Sequence, residues 1–300
     1  MPLTLEEILA GIKPLDAEAI RQAEAHTAQL VMPPRALGRL HAIGERLCGI
    51  QGTLRPAVSG KAILVMAGDH GIVEEGVSAF PQSVTGAMIA TFLAGGAGIN
   101  ALARQAGAEV WVADLGAIPD IDAAALKNRE RLLVRKVGRG TKNFARGPAM
   151  TRAEAQTAVL NGFEIASGLI RDGADLLGTG DMGIGNTTPS AAIGAALTGR
   201  SVEEMVGRGT GIDDQALGRK REAIRRGLEL NRPYPADGLD VLAKVGGFEI
   251  GGIAGIVLAC AYHRKAVVID GFISTAGALV AQALCPQATE FAFAGHCSEE

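Results

Sequence analysis

The chain has 300 residues, 48% of them hydrophobic and 4% aromatic, with 29 Lys and Arg against 32 Asp and Glu for a formal charge of −3. That length suits one large α/β domain with a small appendage, and the near-neutral balance, with no basic block longer than 218–226, excludes the phosphate-neutralising stripe of a nucleic-acid binder. Four scattered cysteines without C-x-x-C spacing and an acidic start at Glu6 and Glu7 point to a reducing cytoplasm and away from export.

The first 57 residues read as a small helical domain. Thr4 and Glu7 form a capping box, Asp16 caps a helix running to about Leu30, and Met32-Pro33-Pro34 stops it before a further helix that ends near Gly49. From Lys61 the texture changes. Ala62 to Ala67 is a continuous apolar run, the pattern of a strand buried on both faces, and it ends in Gly68-Asp69-His70-Gly71. Comparable runs recur at 109–115, 131–137, 174–178, 265–270 and 290–294. A helix opened by the capping box of Thr151 and Glu154 runs to about Arg171, and Gly173 suits its left-handed C-terminal position. The greasiest window, Ile250 to Tyr262, has 13 residues where a bilayer needs about 20, so it reads as a buried helix and no membrane partner is expected. Strands alternating with helices call for a doubly wound, mostly parallel α/β sheet over 58–300, with ligands beyond the carboxyl ends of its strands.

The loop Gly178 to Pro189 follows a strand and opens a helix. Thr188 is placed to cap that helix and Pro189 to start it, and the glycines bare amides that, with the positive helix end, suit a phosphate. A tight turn alone would also account for the glycines. Gly178, Gly180 and Gly183 satisfy G-x-G-x-x-G as well, with Glu203 and Glu204 as ribose partners, which leaves an NAD-dependent oxidoreductase open. A second glycine run, 207–214, leads into a helix whose stripe is Leu217, Ile224 and Leu228. Lys220 lies roughly 60° from that stripe's centre at about 100° per residue, so its amine either enters a site or snorkels along the surface. Phe80 reads as a pocket wall or a core residue; His70 beside Asp69 suggests a metal ligand or half of an acid–base pair, but with no second His nearby in the sequence it reads rather as a structural hydrogen-bonding residue. Asp270 ends a strand, where carboxylates face ligands or cap loops. There is no nucleophile elbow, no Walker loop, no H-E-x-x-H and no Cys/His zinc spacing, so neither metal nor cofactor is implied.

Gly68-Asp69-His70-Gly71 with Val77-Ser78-Ala79-Phe80-Pro81-Gln82, Gly180 to Thr188, the run 207–214, Gly246-Gly247-Phe248-Glu249-Ile250 and Val268 to Ser274, in that order, resemble the nicotinate-nucleotide:dimethylbenzimidazole phosphoribosyltransferase family over nearly the whole chain. The resemblance implies transfer of phosphoribose from nicotinate mononucleotide to 5,6-dimethylbenzimidazole, giving α-ribazole 5'-phosphate and nicotinate for the lower ligand of cobalamin, in a homodimer. Carried over, it places Gly183, Ile184, Gly185, Asn186, Thr187 and Lys220 at the phosphate and nucleotide, and Ser78, Phe80, Gln82 and Met88 at the benzimidazole. It also marks two departures. The family usually has Glu where this chain has Asp181, and its general-base Glu belongs to a segment beyond residue 300. Asp181 and Asp270 are therefore the catalytic candidates, with Glu249 as a substitute, and the expectations are impaired turnover, or a non-catalytic nucleotide-binding protein, and apolar surface beside the N-terminal helices where that segment packs.

Overall fold

Six short apolar runs become the six strands of one sheet in the computed structural model, which describes residues 3–122, 124, 126–209 and 211–298. They are β1 (Lys61–Gly68), β2 (Glu109–Gly116), β3 (Leu132–Val134), β4 (Leu176–Met182), β5 (Ala266–Ile269) and β6 (Ala292–Ala294). Every pairing is parallel and the order is β3-β2-β1-β4-β5-β6. This is the doubly wound α/β order, and the direction of winding reverses between β1 and β4, where a crevice opens beyond the strand ends. The third and sixth strands are shorter than their sequence runs, three residues each, because only those residues reach a neighbour at the sheet edges.

The N-terminal region supplies α1 (Leu5–Gly11), α2 (Ala17–Ala28) and α3 (Arg39–Gln51), with Thr4–Glu7 and Asp16 capping as their chemistry predicts. Between β1 and β2 lie α4 (Ser83–Ala94) and α5 (Gly98–Ala106); α6 (Arg152–Arg171) precedes β4. Then α7 (Thr187–Thr198), α8 (Val202–Met205), α9 (Asp214–Asn231), α10 (Gly238–Val245) and α11 (Phe248–Tyr262) lead to β5, and α12 (Gly271–Leu284) follows it.

Period-two alternation explains why β1 is apolar throughout. Leu64 and Met66 join the core beneath α6, α11 and α12, whereas Val65 and Ala67 face Ile89, Leu93 and Ala103 of α4 and α5. Leu5, Ile8, Ile12 and Ile50 of the N-terminal helices belong to the first of these cores. All of Phe248 to Ala261 is buried, so the greasy window is the core helix expected. A longer apolar stretch, Ser83–Ala106, has the length and composition of a membrane span. It is folded as two helices, broken where Gly95 turns with a φ of +79°. Between α2 and α3, Leu30, Val31, Met32 and Leu37 are exposed, as is Leu40 in the first turn of α3.

Candidate active site at the reversal of the sheet

The ends of β1 and β4 bring together residues more than a hundred positions apart. Met66 is in register with Asp181 and Ala67 with Met182, so Gly68-Asp69-His70 and Asp181-Met182-Gly183 leave the sheet side by side. Asp69 is the anchor. Its Oδ1 accepts from the Thr85 hydroxyl at 2.7 Å and its Oδ2 from the Ile118 amide at 2.8 Å, and Thr85 Oγ1 in turn accepts from the Ile184 amide at 3.2 Å. Three segments are thus tied by one buried carboxylate. Thr85 carried no signal in the sequence, because a threonine inside an apolar helix is unremarkable until its partners are known.

The loop after β4 is tight. Asn186 N–H donates to the Gly183 carbonyl at 3.1 Å and Thr188 N–H to that of Gly185 at 3.0 Å. The amides of Ile184 and Asn186 are therefore spent internally, contrary to the reading in which the whole loop faces an anion. The N–H groups of Gly185 and Thr187 find no acceptor among the described residues. Gly185 has a φ of +88°, and a Cβ there would sit 2.6 Å from Val73 Cγ2, so glycine is needed on both counts. The helix begins at Thr187 with Asn186 in the cap position, so Thr188 is not its cap; Thr188 is buried in the first turn, and its hydroxyl has no partner among the described residues. Asn186 turns its side chain the other way, donating from Nδ2 to Asp181 Oδ2 at 2.8 Å.

Lys220 reaches this loop and does not snorkel. It is 1% exposed, and Nζ donates to Thr187 Oγ1 at 2.8 Å and to the Gly207 carbonyl at 3.2 Å. The buried face of α9 is Ala216, Lys220, Ala223, Ile224, Gly227 and Asn231, while Leu217 and Leu228 are only half-buried. Small residues let this helix close on its neighbours, as at Gly227, where a Cβ would sit 2.4 Å from the Phe144 ring. That places the lysine at the centre of the stripe and not on its flank. Thr210, in the preceding glycine run, lies outside the described residues.

A cleft of about 150 Å³ is lined by Val77, Ser78, Asp181 and the loop from Met182 to Thr187. A larger groove of about 540 Å³, bounded by Trp111, Leu133, Phe163 and His263, shares no lining residue with it. Of the base-pocket candidates, Ser78 is on the cleft wall, with its hydroxyl accepting from the Phe80 amide at 3.3 Å. Phe80 is 51% exposed, so it is not a core residue. Gln82 donates from Nε2 to the His70 carbonyl at 2.9 Å, and Met88 is half-buried in α4.

Asp181 is half-buried at the cleft floor. Loss of water there pushes its carboxyl up to about 6; the Asn186 hydrogen bond opposes this, Glu249 and Asp270 add to it, and His70 opposes it weakly. Asp270 is exposed at the start of α12, makes no side-chain cap, and pairs with His296 Nδ1 at 3.1 Å. The partner of His70 is Glu249, at the start of α11, and not its neighbour Asp69. The signal for Glu249 was available: a single acid opening an otherwise apolar helix. Glu203 and Glu204 are already engaged, with Arg225 and Ser201. Gly178 and Gly180 are strand residues paired with Ile63 and Val65, so the G-x-G-x-x-G match forms no dinucleotide loop.

The family model described as Phosphoribosyltransferase matches residues 12–300. The chain is similar to the nicotinate-nucleotide–dimethylbenzimidazole phosphoribosyltransferase of Geobacter metallireducens, 52% identical over 296 residues that cover 99% of this chain and 82% of the relative. The enzyme of that name from Geobacter sulfurreducens is also 52% identical, covering 99% and 83%. The crystal structure of the nicotinate-nucleotide–dimethylbenzimidazole phosphoribosyltransferase from Thermus thermophilus superimposes with a TM-score of 0.86 at 45% identity, covering 94% of this chain and 82% of that one.

Proposed function

The chain belongs to the nicotinate-nucleotide–dimethylbenzimidazole phosphoribosyltransferase family, and on that premise we propose that it moves phosphoribose from nicotinate mononucleotide to 5,6-dimethylbenzimidazole. A benzimidazole ring nitrogen attacks C1' from the face opposite the leaving group, the bond from C1' to the pyridinium nitrogen breaks, and its electron pair neutralises the departing nicotinate. The products are α-ribazole 5'-phosphate, nicotinate and a proton. Since the leaving group departs from a cation, no strong general acid is needed; the work is positioning, a base for the ring proton, and negative charge near the carbon that becomes oxocarbenium-like.

The observation that carries this reading is the contact of the buried Lys220 ammonium with Thr187 at the mouth of a loop offering the unspent amides of Gly185 and Thr187. Together with Gly183, Ile184 and Asn186, which shape the loop, they hold the 5'-phosphate. Ser78, Phe80, Gln82 and Met88 line the base side. Asp181, poised near neutrality, takes the ring proton, while Asp270 adds negative charge at the sheet end. The chain acts in the cytoplasm as a homodimer without nucleic acid or membrane; the exposed apolar surface around Val31 and Leu40 supports association.

Incubating the protein with nicotinate mononucleotide and following nicotinate by chromatography tests the reaction. Release is expected only when 5,6-dimethylbenzimidazole is present, with α-ribazole phosphate formed in equal amount. A mononucleotide that raises the melting temperature without any release would leave a binding protein and overturn the assignment.

A further inference from the structure

Behind Asp181 lie two ionisable side chains that the transfer does not touch. His70 Nε2 stands 2.8 Å from Glu249 Oε1, and their side chains are 1% and 0% exposed. The approach lacks linear hydrogen-bond geometry, and His70 Nδ1 and Glu249 Oε2 have no hydrogen-bond partner among the described residues. A pair retained for stability alone would be better replaced by apolar side chains of similar size. The fold instead makes room for it. A Cβ on Gly247 would sit 2.5 Å from His70 Cε1 and 2.7 Å from Glu249 Oε2, one on Gly68 2.8 Å from Oε2, and one on Gly183 3.1 Å from His70 Nε2. The end of β1, the start of α11 and the loop after β4 therefore close directly on the pair, two residues from Asp181.

We propose that His70 and Glu249 are positioning residues, a buried ion pair that sets how readily the cleft-facing carboxyl of Asp181 gives up and takes back its proton. This deepens the proposed transfer, in which Asp181 accepts the ring proton, and rests on that reading. Only Asp181 opens on the cleft; the pair acts through it. The charged groups around the imidazole are Asp69 at the end of β1, Glu249 on α11 and Asp181 on β4, and Asp270 at the start of α12 completes the set that Asp181 feels. Burial disfavours the imidazolium, but Glu249, by charge and contact, then Asp69 and Asp181, outweigh it and hold His70 above its ordinary value. For Asp181 the two members of the pair pull in opposite directions, Glu249 favouring the protonated acid and His70 the carboxylate.

Opposite pulls give a test that a merely structural pair would fail. Protein labelled with ¹³C at the aspartate carboxyls is titrated without ligand, the Asp181 signal being assigned by its loss in Asp181→Asn. Glu249→Gln is expected to move the Asp181 midpoint down by on the order of one pH unit and His70→Gln to move it up by less, with the double variant between the two. The acid limb of the transfer rate should follow in kcat while KM for the mononucleotide stays within about twofold. Midpoints that stay in place, or move the same way in both variants, overturn the proposal. Should one single variant fail to fold, the other, compared with the double variant, still decides the sign. The titration needs no reaction, so opposite shifts in a protein that transfers no phosphoribose would defeat the proposed transfer and leave the coupling standing.

Discussion

The two lips of the cleft are built from opposite materials. The β4–α7 loop presents main-chain amides and a helix start, positive and fixed by backbone turns, and Lys220 of α9 adds an ammonium held against Thr187. The floor presents Asp181 with Asp270, His70 and Glu249 behind or beside it, an acid-rich cluster whose charge depends on its own neighbours. A mononucleotide with an anionic phosphate and a cationic pyridinium matches that polarity end to end. The contrast teaches that the loop is held in place by its own backbone turns, whereas the charge on the floor depends on its neighbours.

Removing the adjustable end should have the largest effect. Asp181→Asn is expected to lower the transfer rate by about 10²- to 10⁴-fold with little change in mononucleotide affinity. It should also separate activity from stability. The folded protein holds the Asp181 proton up to about pH 6, whereas the ordinary value is 3.8. The protonated carboxyl therefore favours the fold below about pH 4, and that contribution is lost as pH rises through 6, leaving a buried charge that costs stability. Asp181→Asn should then be more stable than the parent at pH 8 by about 1–2 kcal/mol, discounted for the residue's partial exposure, with the difference shrinking below pH 4. Denaturant unfolding at both pH values checks this, and a variant less stable at pH 8 would count against it.

Lys220→Met strikes the anion end. Loss of a charge-assisted contact of about 2 kcal/mol predicts a rise of roughly 30-fold in KM for the mononucleotide with a smaller change in kcat. A change confined to kcat would sever the lysine from the phosphate. Gly185→Ala, which forces a side chain into a φ of +88° against Val73, should cost about 1–3 kcal/mol in unfolding experiments and weaken the mononucleotide. The smallest effect belongs to the strut joining the lips. Thr85→Val leaves Asp69 Oδ1 and the Ile184 amide unpaired and is expected to cost about 1 kcal/mol while moving KM only a few-fold.

Much of this is legible in the sequence. All six apolar runs became strands, and the caps at Thr4, Asp16 and Thr151 hold, because each depends on neighbours a few residues away. Lys220 was visible as a lysine near an apolar stripe, but its place at the stripe's centre was not. That depended on Gly227 and Ala223 letting α9 close on the segment carrying Phe144. Glycine spacing misled where a sheet claimed the residues: Gly178 and Gly180 satisfy a loop motif and lie in β4. The His70–Glu249 contact spans 179 positions and has no local signature at all.

Taken alone, the sequence determined which segments are strands and helices, that the chain is a parallel α/β protein, and which family it joins, since all of these follow from local pattern and motif identity. Only the tertiary structure decided which amides remain free, which carboxyl opens on the cleft and which is sealed behind it. Burial and charge proximity belong to the space between distant segments, and that space exists once the strands have chosen their order.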